Sequence, residues 1–345
     1  GLVGSEMCIR DRYYNRTIST DFEDLLKSGH FSWIIPYVKK HEDLDILIGR
    51  NKSMEFCSVY RGLSRILRIY RPISKKQKYG NFKWDAADKY IAMYSDPKVS
   101  LEQLCEDDIE KVRRQIEKTP EFTRYYKEEI ATEAGSEGFY QNAIQRKYGL
   151  LSESTSALVI VDKEAVIGYD GGQSEKGQRF NSEREYYKNA KNDLQKKYPK
   201  DFGKADENGI LGNELDLIVL DKDGYIHLME LKKGSNTSGI YMSPFQIGLY
   251  HRLFKSFNKE ELKENIRSMI EQKKRLGLIN PDWTIPEIQN RFMPELIICH
   301  RIMHSSCYPQ KYNRVIEYIK DNYPRIYEDI RDIKVKDENL NLLCK

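Results

Sequence analysis

Four polar side chains stand where a strand normally carries apolar ones. In GNELDLIVLDKDGYIHLMELKKG, Gly212 to Gly234, they are Glu214, Asp216, Glu230 and Lys232. Successive side chains of a strand point to opposite faces. Glu214 and Asp216 therefore share one face of their run, with Leu215, Leu217 and Val219 on the other. Glu230 and Lys232 share a face of the next run, and Met229 and Leu231 point away. An antiparallel hairpin keeps a constant sum of paired residue numbers. Asp216 opposite Glu230 then requires Asp221 opposite Tyr225 and a loop of Lys222, Asp223 and Gly224. Three-residue loops of this kind end in a left-handed residue, usually glycine, and Gly224 stands at that place. The turn chemistry thus favours a register in which Asp216 faces Glu230 and Glu214 faces Lys232, and a slip of one residue would scatter these groups over both faces.

Opposed carboxylates repel, and one is driven toward protonation unless a cation sits between them. Mg²⁺ suits that place, with Mn²⁺ as a substitute: it prefers oxygen ligands, takes one or two carboxylates and keeps other positions for water and substrate phosphate. Lys232 would orient or help activate a water beside the metal. The pattern points to metal-assisted hydrolysis of a phosphodiester, a charge clamp with a positioned nucleophile. The plain alternative is a hairpin with a solvated polar face.

The same segment resembles the core of the PD-(D/E)xK nuclease superfamily. Asp216 matches the acidic residue of that family's second core strand, and Glu230-Leu231-Lys232 matches its ExK; Leu215 replaces the proline of the motif's name, at a position that varies. The likeness runs from about Ala157 to His300. It implies an α/β fold: a restriction-endonuclease-like core with a mixed central β-sheet flanked by helices. It also implies a Mg²⁺-dependent hydrolase that cleaves nucleic acid; DNA is the favoured substrate over RNA, a choice that the sequence itself leaves open. Asp216 and Glu230 would hold the metal with the Leu231 carbonyl, and Lys232 would position the water. In the exonuclease-like branch the helix after ExK carries QxxxY, which Gln246 and Tyr250 match. They lie one turn apart, Gln246 to orient substrate or the lysine and Tyr250 to contact nucleic acid. The family also places a glutamate on the helix before the Asp strand as an extra metal ligand. Glu183 and Glu185 are the candidates, and Glu183 is preferred because it shares a helical face with Tyr187 and Ala190. An ordinary acidic first turn is the other reading. Two further classes stay open: a catalytically inactive nuclease-fold protein that binds nucleic acid or scaffolds a partner, and a hydrolase of another phosphodiester such as a nucleotide.

These residues need elements to hold them. ALVIVDKEAVIGYDGG reads as a strand or hairpin, and Asn181–Tyr198 as a helix. Ser243–Phe257 reads as a helix with Ser243 at the cap and Pro244 in the first turn, and Lys259–Gly277 as an amphipathic helix stopped by glycine. PELIICH reads as a buried strand, KYNRVIEYIKDNY as a helix and IRDIKVKD as a last strand. Strands alternating with helices imply a mixed sheet. Asp162 and Glu164 share a strand face, with a hairpin or solvent-facing role expected, and Asp170 precedes two glycines as a turn residue. Residues 13–152 read as a mainly helical, basic region. Its exception is Met54–Pro72, a strand pair about Gly62. Within it, Trp84–Ser95 reads as a short helix, Ser100–Lys118 as a helix capped by Ser100, and PEFTRYYKEEIATEA as another. Residues 153–345 read as the nuclease-like domain. The first twelve, GLVGSEMCIRDR, resemble the translation of a transposase adapter and are expected to be a scar, with the true N-terminus missing or miscalled.

From Phe56 to Trp84 there are eight basic residues and no acidic one: Arg61, Arg65, Arg68, Arg71, Lys75, Lys76, Lys78 and Lys83. Tyr60, Tyr70, Tyr79, Phe82 and Trp84 interleave with them. Such a run could neutralise phosphates and stack on unpaired bases, and a solvated basic face is the equal alternative. His227 shares parity with Met229 and Leu231, so it faces away from Glu230. His300 and His304, with Cys299 and Cys307, lack any zinc spacing. The net charge of +4 over 345 residues identifies no partner. Six scattered cysteines without CxxC point to a reducing, cytoplasmic compartment rather than a disulfide framework. No apolar run approaches the ~20 residues needed to cross a bilayer, and nothing indicates an oligomer.

Overall fold

The computed structural model describes residues 14–74, 76, 78–94, 100–119, 126–129, 135–166, 175–212, 214–299 and 307–337, the side chains of 175–179 and 307–308 excepted. The chain forms two compact units. One comprises Asn15–Val159 and Ile266–Thr284; the other comprises Tyr14, Ile160–Asn265 and the chain from Ile285 onward. Among the described residues no helix is long and apolar enough to cross a membrane.

The first unit has more residues in helices than in strands. It is built on an antiparallel four-stranded sheet, in the order β1 (Leu44–Arg50), β2 (Met54–Arg61), β3 (Ser64–Pro72) and β4 (Lys83–Asp85). The β2–β3 hairpin turns at Gly62, whose φ is +58°. The β1–β2 turn carries a signal that the sequence shows plainly: the Asn51 side chain accepts from the amides of Ser53 and Met54, an Asx turn. Strand residues Ile46, Val59, Ile66, Leu67 and Ile69 bury against helices α1 (Thr20–Lys27), α2 (Ile34–Lys40), α3 (Asp88–Ile91) and α4 (Glu106–Glu117). Helix α4 starts later than Ser100, because Cys105 and Asp108 form its capping box. The Trp84–Ser95 helix shrinks to α3, its first residues being spent on β4. The PEFTRYYKEEIATEA segment lies largely outside the described residues. Helix α5 (Glu137–Gln145) is capped by Ser136 and runs into a π-helical turn, Arg146–Leu150. There the Arg146 guanidinium donates to the carbonyls of Val38, Lys39, His41 and Leu44, closing the end of α2. Leu276 and Leu278, from the returning segment, complete this core.

The second unit is α/β. Its mixed five-stranded sheet has the order β5 (Leu158–Ala165), β6 (Leu215–Asp221), β7 (Ile226–Lys233), β8 (Phe292–Cys299) and β9 (Lys334–Asp337). Strands β6 and β7 pair antiparallel, whereas β7–β8 and β8–β9 pair parallel. The helices are α6 (Glu175–Lys197), α7 (Pro199–Phe202), α8 (Thr237–Lys255), α9 (Lys259–Arg275), through which the chain returns to the first unit, α10 (Cys307–Asn322) and α11 (Pro324–Ile330). Helix α8 packs on β7 and β8. It begins at Thr237, not at Ser243: Asn236 caps it by accepting from the Gly239 amide at 3.0 Å. Pro244 therefore lies inside the helix and cannot bond the Ile240 carbonyl. The Ser243 hydroxyl donates to that carbonyl at 2.8 Å, so the expected cap residue repairs the break instead.

Candidate active site

The β6–β7 register is the one that the turn chemistry predicts. Leu217 pairs with Met229, Val219 with His227 and Leu220 with Ile226, and the Asp221 amide bonds the Tyr225 carbonyl across a Lys222–Gly224 loop. Gly224 has φ +84°, and a Cβ there would lie 1.9 Å from the Glu287 carbonyl oxygen, so glycine is required twice over. The Asp221 carboxylate closes the turn by accepting from the amides of Asp223 and Tyr225. Hydrogen-bonded pairs alternate along such a ladder, and the next exchange beyond Leu217 would join Leu231 to Leu215. Instead the Asp216 Oδ2 takes the Leu231 amide, at 2.7 Å. The ladder thus gives way to a side chain at the place where Asp216 opposes Glu230.

Lys232 bridges that opposition. Its Nζ donates to Glu230 Oε1 at 2.5 Å and lies 4.0 Å from Asp216 Oδ2. Glu230 is only 1 % exposed, so its charge depends on compensation from within the protein. Tyr250 is buried beside this cluster. Burial first, then the charges of Glu230, Asp216 and Glu214, push its hydroxyl far above the usual phenol range, with the Arg184 guanidinium opposing. The phenol therefore keeps its proton. One turn earlier, Gln246 donates to the Glu214 carbonyl at 3.4 Å. Gly212 makes this contact possible: its φ is +47°, and a Cβ there would stand 3.0 Å from Gln246 Cγ and 3.3 Å from Tyr250 Oη. Asp216, Glu230, Leu231, Lys232, Gln246 and Tyr250 are thus brought together.

The other expected residues are placed elsewhere. Glu183 turns its carboxylate oxygens to Arg325 and to Arg252, whose Nε is 4.0 Å away, so ion pairs rather than the Asp216–Glu230 pair hold it. Glu185 pairs with Lys188. Asp162 is not solvent-facing: it is fully buried and accepts from the Tyr14 hydroxyl. Asp170, His300 and His304 lie outside the described residues, as does the Cys307 side chain. In the basic run, Arg61 pairs with Asp43, Arg65 and Arg68 with Asp85, and Arg71 with Asp21 and Glu55. Arg71 is 6 % exposed and stacks under the rings of Tyr79 and Phe82, a structural post rather than a phosphate hand. Lys76, Lys78 and Lys83 are exposed, and Lys75 lies outside the described residues.

One cluster escaped the sequence. His227, on the side of β7 opposite Glu230, places Nδ1 3.0 Å from Glu295 and Nε2 2.9 Å from Asp221, and Lys336 reaches Glu295 at 3.1 Å. Burial lowers the His227 pKa, but the two carboxylates outweigh it and hold the ring above its ordinary value. Asp221 and Glu295 are held below theirs: burial opposes this, and His227 overrides it for both. Glu295 reaches His227 because β8 pairs parallel to β7, which no local pattern announces.

Among the described residues no group of three or more His, Cys, Asp and Glu is placed to hold a metal. The Asp216–Glu230 pair stands below that count, yet its chemistry fits a hard divalent cation. Two carboxylates, one of them buried, already share a cationic ammonium, 2.5 Å from one and 4.0 Å from the other. Compared with family models, with curated proteins and with solved structures, the chain matches none.

Proposed function

We propose that the protein is a Mg²⁺-dependent nuclease hydrolysing phosphodiester bonds of nucleic acid, DNA rather than RNA, on a restriction-endonuclease-like core. One observation carries this reading: at the end of the β6–β7 pairing the Lys232 ammonium stands 2.5 Å from the buried Glu230 Oε1 and 4.0 Å from Asp216 Oδ2. A solvated hairpin needs no such buried cluster. Asp216, Glu230 and the Leu231 carbonyl would hold the metal, which would supply Lewis-acid stabilisation of charge on a phosphoryl oxygen. Lys232, fixed by Glu230, directs its remaining N–H groups to orient a water and to neutralise charge that develops on the phosphate. The Leu231 amide fixes the orientation of the Asp216 carboxylate. Gln246, anchored on the strand entry, orients substrate beside the trio.

The test is incubation with labelled single- and double-stranded DNA and RNA in Mg²⁺, Mn²⁺ or EDTA. Cleavage is expected with either metal and not with EDTA, and loss is expected in Asp216→Asn and Lys232→Ala. No cleavage in any metal, or undiminished cleavage by those variants, sinks the reading. A second reading, a catalytically inactive protein of this fold that binds nucleic acid or scaffolds a partner, is favoured by the Lys232 ammonium, which already compensates both carboxylates. It predicts nucleic-acid binding that Mg²⁺ and EDTA leave unchanged.

A further inference from the structure

Helix α6 carries a guanidinium that forms no ion pair among the described residues, though the Glu185 charge acts on it from a distance. Arg184 makes no hydrogen bond or ion pair among the described residues, and its Nε is buried without a partner. Its neighbours in this helical layer are all engaged: Arg252 and Arg325 by Glu183, and Lys255 by Asp329. The packing of α6 on α8 shows where Arg184 lies. Glu183 meets Arg252, and Tyr187 meets Gly248, so the helices run antiparallel and residue 184 comes alongside residues 250 and 251. Gly248 permits this approach, because a Cβ there would stand 2.6 Å from Ile330 Cγ2 and 3.0 Å from Tyr187 Cε1. The guanidinium rests over the Phe180 ring, 4.5 Å from its centroid, which fixes the side chain without neutralising it.

What Arg184 comes alongside is the Tyr250 phenol, whose raised pKa the guanidinium opposes. The Tyr250 hydroxyl is buried and, among the described residues, also has no hydrogen-bond partner. Among those residues two donors are thus left without an acceptor beside the Asp216–Glu230–Lys232 cluster. A buried donor without a partner destabilises the fold, and such a cost is recovered when a ligand brings the acceptor. A guanidinium fork next to a hydroxyl donor matches an anion with several oxygens on one atom.

We propose that Arg184 and Tyr250 form an anion subsite that takes one phosphate group of the substrate bound at the Asp216–Glu230–Lys232 cluster. That the phosphate belongs to nucleic acid rests on the nuclease reading; that the subsite binds phosphate does not. Because the group is held before and after the chemical step alike, its loss acts on KM more than on kcat.

The experiment titrates inorganic phosphate into the metal-free protein by calorimetry, for wild type, Arg184→Gln, Arg184→Lys and Tyr250→Phe, with thermal midpoints recorded beside each. Wild type is expected to bind phosphate saturably. Arg184→Gln should weaken it about tenfold or more, Arg184→Lys should keep part of the affinity because it keeps the charge, and Tyr250→Phe should fall in between. In the cleavage assay Arg184→Gln should raise KM by a similar factor with kcat largely kept. Equal phosphate affinity in wild type and Arg184→Gln, or no saturable binding by wild type, overturns the subsite. Should wild type cleave nothing while phosphate binding depends on Arg184, the nuclease reading fails and the subsite stands. Should wild type cleave while Arg184→Gln changes neither KM nor phosphate affinity, the subsite fails and the reading stands.

Discussion

Replacing Lys232 by Met keeps most of the side chain's stem and removes its charge. Glu230 is 1 % exposed, and the lost ammonium stood 2.5 Å from its Oε1. Removing one partner of a buried pair costs ~3–5 kcal/mol, because the charge left behind is uncompensated. Here Asp216, whose Oδ2 was 4.0 Å from the same ammonium, is left facing Glu230. The repulsion that this leaves is part of the same cost, and we expect ~3–5 kcal/mol in all. At ~2–4 °C per kcal/mol for a domain of this size, the thermal midpoint should fall by ~6–20 °C. In a Glu230→Gln background the same replacement should cost under ~1 kcal/mol, a coupling of at least ~2–4 kcal/mol in a double-mutant cycle. Mg²⁺ at ~100 times its Kd would return ~2.7 kcal/mol. It should raise the midpoint of the variant more than that of wild type, since no ammonium competes for the place. A variant that melts within ~2 °C of wild type, an undiminished loss in the Glu230→Gln background, or no response to Mg²⁺ in either protein would refute the charge-clamp reasoning.

Arg71→Ala should destabilise the protein by ~3–5 kcal/mol in urea denaturation, because it strands the fully buried Glu55, and it should leave the salt dependence of nucleic-acid binding unchanged. Gly224→Ala forces a side chain into a left-handed turn against the Glu287 carbonyl, and a loss of more than ~1–3 kcal/mol, with a drop in cleavage, is expected. The His227 pKa is raised above its ordinary 6.5, so the stability it contributes is full below that pH and is lost as pH rises through the folded-state value. The denaturation midpoint of wild type should therefore decline on the alkaline side of 6.5, and His227→Gln should flatten that limb; an unchanged limb would assign the decline to another group.

The hairpin was legible because everything that fixes it is local: a glycine at a left-handed position, strand parity and a three-residue loop. The basic run shows how a boundary misleads. Its acid-free window, Phe56 to Trp84, ends one residue short of Glu55 and Asp85, the acids that sit cross-strand from Arg71 and Arg68. Pairing β2 with β3 in register would have found the first of them. The His227–Glu295 contact lay beyond such reasoning, because two helices separate β7 from β8 and only their packing sets the parallel register. Glu183 pairs with Arg252 and Arg325, which come from two other helices, and no spacing on α6 reveals them. Strand β1 was overlooked because Asp45 breaks its apolar run, although the Asn51 turn after it was in view.

The return of Ile266–Thr284 to the first unit has a consequence for biosynthesis. When Val159 leaves the ribosome, the core around β1–β4 still lacks Leu276 and Leu278, and Ser156 lacks the buried Trp283 indole that donates to its carbonyl. At ~5–20 residues per second those groups arrive on the order of 10 s later. The first unit must therefore wait, open on one side, while the whole β5–α9 segment is made. Trp283, fully enclosed once this happens, is a natural fluorescent clock for the moment of closure.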